Sequence, residues 1–317
     1  MHGGALEQLG RQGDHLGHIR ELWIQQHAHA SDLRALAGST GFRHLTSLAL
    51  TDNGALISLD GLPDLPKLDS LHMSHNHALT SLDGLPDMPS LTSLVVVQNN
   101  ALISLDGLPD LPNLTSLRVS HNHALTSLDG LPDLPNLDTL DVSDNGALTS
   151  LDGLPDLPNL TSLRVSYNNA LTSLDGLPDL PNLDTLDVSD NSALTSLDGL
   201  PDLPNLKNLQ VSFNNALTSL DGLPDMPRLE MFELRSGSAV AASATVAAMI
   251  SLQRLTLDLP NVGEVLAVAV ALPGLRELVL DRDQVTDALI GEFMAERSKA
   301  ALAEPTVSFT SGYLRIR

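Results

Sequence analysis

The chain has 317 residues, 42% of them hydrophobic and 3% aromatic, with 39 acids against 17 bases and no cysteine. A formal charge of −22 argues against binding a nucleic-acid backbone, which requires a basic face, and against docking on an anionic membrane leaflet. The lack of cysteine excludes disulfides, thiolate metal sites and cysteine nucleophiles.

Residues 1–44 read as an N-terminal cap containing one diverged repeat, Ile19, Leu22, Ile24 and His27. They hold no uninterrupted apolar stretch of the kind a signal peptide needs. No apolar run in the chain is long enough for a membrane span, so the expected location is the cytoplasm, with signal-independent export as an effector left open.

From residue 45 a repeat takes over. Asn53, Asn76, Asn99, Asn122, Asn145, Asn168, Asn191 and Asn214 recur every 23 residues, each preceded by LxxLxLxxN, as in Leu114, Leu117, Val119 and Asn122. The alternating LxL centre predicts a short strand with its leucines inward. The Asn row predicts a structural ladder, because a buried amide must find partners in neighbouring rungs. In the remainder of each repeat, Leu125, Leu128, Leu131 and Leu134 are expected inside, and Pro132 and Pro135 rule out a long helix. A single repeat cannot bury its own leucines and must stack.

The spacing continues as the letters degrade, ending at Gly237, Pro260 and Asp283 in the Asn position. The Ala/Val-rich stretches 239–250 and 262–271 predict helical returns. Residues 284–300 place Val285, Leu289, Ile290 and Phe293 at helical spacing. With the strand-like 306–310 they read as a helix–strand cap over 284–317, leaving 45–283 as the solenoid proper.

These residues resemble the leucine-rich repeat family, over roughly residues 19–283. The LeuProAspLeuPro return is similar to the bacterial class of such repeats, found in secreted effectors. The resemblance implies an α/β repeat solenoid: a curved fold with a parallel concave sheet, extended Pro-rich returns in the centre and helical returns towards the C-terminus. It also implies non-catalytic recognition of a protein partner on the concave face. The ubiquitin-ligase activity of some such effectors is not carried over, because the chain lacks the cysteine and the second large domain it needs.

Residues 46–227 hold 24 Asp, no Glu and four bases, a net of −20, while the remainder nets −2. Two Asp columns, Asp60 through Asp221 and Asp64 through Asp225, read as turn residues. Calcium between rungs is the sharper alternative, although a closed site needs more oxygens than a rung offers. The HisAsnHis strings at 75–77 and 121–123 are explained by the ladder Asn. No phosphate loop, nucleophile elbow or HExxH is present, so no enzyme, cofactor or metal is expected.

The informative positions vary between copies. Arg118, Asp141, Arg164 and Asp187 form an outward row that begins at Trp23 and includes His72. Trp23 is either covered by residues 1–18 or left as an interface anchor. A second row precedes the Asn and carries His75, His121, Tyr167 and Phe213 on every second rung, with Asp or Gln between. These ten residues are the expected partner-binding set. The expected partner is a basic protein, approached as a monomer. An inhibitor or immunity-type protein against a basic toxin, and a structural or calcium-binding repeat protein, remain alternatives.

Overall fold

The computed structural model describes residues 4–12, 17–26, 31–281, 286–299, 307–310 and 313–316. The chain forms two compact units, Met1–Leu160 with Gly176–Asp179, and Thr161–Asp175 with Leu180–Arg317.

In the first unit, helix α1 (Gly4–Gln12) precedes six parallel strands: β1 (Glu21–Gln25), β2 (Ser47–Thr51), β3 (Ser70–Ser74), β4 (Ser93–Val97), β5 (Ser116–Ser120) and β6 (Thr139–Asp141). They pair in chain order. The register steps by 26 residues at Trp23↔Ala49 and by 23 from Ala49↔His72 through Arg118↔Asp141. The expected diverged first copy is thus the first strand. Helix α1 packs on the return side, where a Cβ on Gly10 would stand 1.8 Å from the Ala35 carbonyl oxygen.

In the second unit the parallel strands are β7 (Ser162–Arg164), β8 (Thr185–Asp187), β9 (Asn208–Gln210), β10 (Met231–Arg235), β11 (Arg254–Asp258) and β12 (Glu277–Asp281). Helices α2 (Ser243–Ala248) and α3 (Val262–Ala269) replace the Pro-rich return, as the composition predicts. Helix α4 (Asp287–Lys299) is followed by β13 (Val307–Thr310) and β14 (Tyr313–Ile316), and β14 inserts antiparallel beside β12. His27, Asp283 and Val285 lie outside the described residues.

Inward strand residues such as Leu117 and Val119 are 1% and 0% exposed. Burying each such side chain contributes about 1.5–3 kcal/mol. The Asn row is buried too, and its amides are satisfied by backbone groups of neighbouring rungs. Within each unit the side-chain oxygen of one Asn accepts the backbone N–H of the Asn one rung earlier: Asn99 from Asn76 at 3.0 Å, Asn122 from Asn99 at 2.9 Å and Asn214 from Asn191 at 2.8 Å. The side-chain nitrogen donates to strand carbonyls, as Asn122 does to Val96 at 2.9 Å. Where the letters degrade, Asn261, one place after Pro260, bonds both backbone groups of Val240.

The residue before each Asn turns the chain out of the sheet. All eight, from Asp52 to Phe213, and Gln26 in the corresponding place of the first strand, lie at φ between 56° and 63°. This left-handed corner lets the corner N–H reach the next rung, as His121 reaches the Ser143 carbonyl at 3.2 Å. Nothing in the letters His, Gln, Tyr or Phe announces that conformation, which favours Gly and Asn.

The returns are extended and bonded rung to rung. Asn113 and Asn136 donate to the Pro89 and Pro112 carbonyls, each at 2.7 Å. From Asp83 to Asp175 the first Asp column accepts the hydroxyl of the Ser two residues earlier, as Asp106 does from Ser104 at 2.8 Å, so these carboxylates order the approach to the turn. Leu131 departs from the expected interior position and is half-buried. Its N–H closes a tight turn on the Leu128 carbonyl, which leaves the side chain along the outer surface.

Arg297 on α4 is 1% exposed. Its guanidinium donates to the carbonyls of Leu272 at 3.2 Å and Leu275 at 3.1 Å and sits 5.9 Å from the Phe293 ring centre. It satisfies carbonyls where the last helical return ends, and burial depresses its pKa.

Candidate functional site

Strand pleating sends the middle residue of each LxL outward, and the corner residue follows three positions later. Each rung therefore presents two variable side chains on the sheet face.

In the first unit these include Trp23, His72, His75, Arg118, His121 and Asp141. Trp23 is 68% exposed. The cap reading for it fails among the described residues, because α1 packs against the turn at Arg34–Leu36. His72 Nε2 lies 3.0 Å from Ser74 Oγ. Burial, then His75 and Arg118, hold its pKa below the ordinary histidine value. The His75 and His77 rings meet edge-on at 5.9 Å.

Arg118 Nε donates to Ser120 Oγ at 2.9 Å and lies 3.3 Å from the Asp141 carboxylate on the next rung. Asp141 in turn accepts the Ser143 N–H at 3.0 Å. His121 Nε2 lies 2.9 Å from Asp144 Oδ2. The residue two places along the strand from Arg118 and from Asp141 is a serine in both cases, and it braces Arg118 through its hydroxyl and Asp141 through its backbone N–H.

In the second unit the same arrangement recurs with one change. Arg164 lies 3.4 Å from Asp187, and Asp187 accepts the Ser189 N–H at 3.0 Å. At the corner, however, Tyr167 replaces histidine and hydrogen-bonds Asp190. The Asp190 carboxyl is raised above the usual carboxylate range by burial and by Asp187, against the lowering effect of that hydrogen bond. Tyr167 and Phe213 are 52% and 44% exposed.

The register carries the outward row from Asp187 onto Gln210 and Glu233. Asn208, Gln210, Glu233, Arg235, Arg254 and Glu277 line a shallow depression on β9–β12. Within it Arg235 lies 2.9 Å from Glu233, and Arg254 is paired with Glu277. The signal was present in the 23-residue spacing, which carries Arg254 onto Glu277, but the degenerate letters hid it. Among the described residues no three His, Asp or Glu side chains gather as metal ligands. No described helix is long and apolar enough to cross a membrane.

Residues 112–156, 135–179, 158–202 and 181–225 match a family model described as leucine rich repeats (2 copies). No curated protein matches the chain. One solved structure, a TLR13–ssRNA13 complex, aligns at 21% identity and a TM-score of 0.32, over 84% of this chain and 53% of that one. The chain thus spans about half the length of that relative. Residues 112–225 are thus matched as leucine-rich repeats, and the 23-residue spacing, the parallel strands and the buried Asn row continue into the rungs on either side.

Proposed function

We propose that the chain is a non-catalytic protein-recognition module whose partner lies across the outward face of the strands. The observation that carries this reading is the exposure of Tyr167 and Phe213 at strand exits, beside the braced pair Arg164–Asp187. The chain spends little of its composition on aromatic residues, yet it leaves these two solvated on ordered backbone. Large rings on a rigid platform are what interface anchors require, because little conformational entropy is lost on binding. The net of −20 over residues 46–227 suits a basic partner and speeds its approach.

The test is amide hydrogen exchange of the protein with and without a purified basic partner. Protection confined to the strands and corners, with the Pro-rich returns unchanged, is the expected pattern. Protection of the returns with the strands unchanged places the partner on the opposite face and contradicts the reading.

A further inference from the structure

We propose that Asp190, with Tyr167 on the rung before it and Phe213 on the rung after it, forms a receptor for one arginine side chain of the protein partner. The proposal rests on the recognition reading above and names the partner chemistry at that face.

The three residues share one backbone state, with φ of 63°, 60° and 60°, so their side chains leave the sheet in the same direction. The rungs are in register: Tyr167 N–H donates to the Ser189 carbonyl at 3.1 Å, and Asp190 N–H to that of Ser212 at 2.8 Å. With rungs about 4.8 Å apart, the two rings start about 9.6 Å apart with a carboxylate between them. A flat group stacked between two rings needs about 3.5–4 Å on each side. A small inward lean of the rings supplies that gap.

The chemistry is set by what the copied unit has lost. One copy earlier, the equivalent acid Asp144 has the His121 imidazole 2.9 Å away, a group able to carry a positive charge. At Asp190 that position is Tyr167, which donates a hydrogen bond but cannot neutralise a carboxylate. On the same rung Asp187 already has Arg164 and the Ser189 N–H. Among the described residues Asp190 forms no ion pair, and its charge is further disfavoured by burial and then by Asp187. The tyrosine hydroxyl takes one of the roughly four acceptor positions of a carboxylate, which leaves room for a forked donor. Guanidinium fits better than ammonium because it is planar, stacks on ring faces and pairs with carboxylates through two N–H groups.

The test titrates the full chain with Nα-acetyl-arginine amide and, separately, with the neutral isostere Nα-acetyl-citrulline amide. The readout is the ring NMR signals. The chain has two tyrosines, so Tyr167→Phe identifies the Tyr167 ring. The expected result is a saturable shift of that ring with arginine and none with citrulline. Asp190→Asn should weaken the arginine response about tenfold, and Phe213→Leu about threefold to fivefold. Asp156→Asn, on an exposed return, should leave it unchanged. An equal response to citrulline, or equal losses from Asp190→Asn and Asp156→Asn, overturns the site. Asparagine tolerates the left-handed corner, and Tyr167→Phe keeps the ring while removing its bond to Asp190, so misfolding does not obscure the result. Loss of the arginine response with partner protection still on the strands removes this site and leaves the recognition reading standing.

Discussion

The backbone N–H of Asn122 donates to Asn145 Oδ1 at 2.9 Å on the next rung, so one side chain closes a gap in another repeat's backbone. Asn145 also donates to the carbonyls of Val119 at 2.7 Å and Val142 at 2.8 Å. Asn145→Leu therefore orphans three buried groups, at about 1–3 kcal/mol each. Asp144→Ala, its immediate neighbour, loses an exposed pair and places alanine at φ 58°, a cost of about 1–2 kcal/mol. Chemical denaturation should show the larger midpoint shift for Asn145→Leu. Equal shifts would contradict the ladder's energetic role.

Gly107 sits at φ +93°, and a Cβ there would stand 2.3 Å from the Asp83 backbone nitrogen. Gly146 has open space around it. Thermal melting should place Gly107→Ala more than about 2 kcal/mol below the parent and Gly146→Ala within about 0.5 kcal/mol of it. Similar values for both would mean that the rungs are not packed backbone to backbone at the glycine turn.

His72 is held below its ordinary value of 6.5, so the unfolded chain binds this proton first as pH falls. Its penalty is absent well above 6.5 and grows as pH drops from there toward the folded-state value. His72→Gln should flatten the fall in melting temperature between about pH 7.5 and 5.5. For Asp190 the sign is opposite in mechanism. Its pKa is raised above 3.8, so the folded chain holds the proton longer and loses stability as pH rises through the folded value. Asp190→Asn should therefore raise the melting temperature at neutral pH. A lower melting temperature would mean that the carboxylate is structural.

Arg297→Met keeps length and apolar volume but removes the donors to Leu272 and Leu275. It should destabilise the chain by about 2–4 kcal/mol. Amide exchange should accelerate first in α4 and in the segment after α3. A uniform change across the strands would show that α4 is not docked by this residue.

Much of this was legible in the letters because the repeat is both chemical and metric. The 23-residue spacing carries the strands, the Asn row and even the first strand, whose 26-residue step at Trp23↔Ala49 follows from Ile19, Leu22 and Ile24. Helical returns were readable from the Ala/Val-rich stretches 239–250 and 262–271 that stand where the Pro-rich return had been. What stayed hidden depends on direction rather than identity. The left-handed corners carry Tyr167 and Phe213 where glycine would have signalled them. Leu131 has the letter of a core residue and the turn of a surface one. Arg297 reads as an exposed helical cation until the carbonyls it meets, more than twenty residues earlier in the chain, are brought beside it. The same holds for the site: the outward row was visible, but the braces at Ser120 and Ser189 and the pairing of Tyr167 with Asp190 needed the register of neighbouring rungs.

The most direct test of recognition through the sheet face is the affinity of a purified partner for four proteins: the parent, Tyr167→Ala, Phe213→Ala and Asp156→Asn. Each ring loss should weaken binding by about 1–3 kcal/mol, with circular dichroism unchanged, while Asp156→Asn on the exposed return changes it by no more than a small screened charge effect. Full affinity in both ring variants, with binding abolished by Asp156→Asn, would contradict the account.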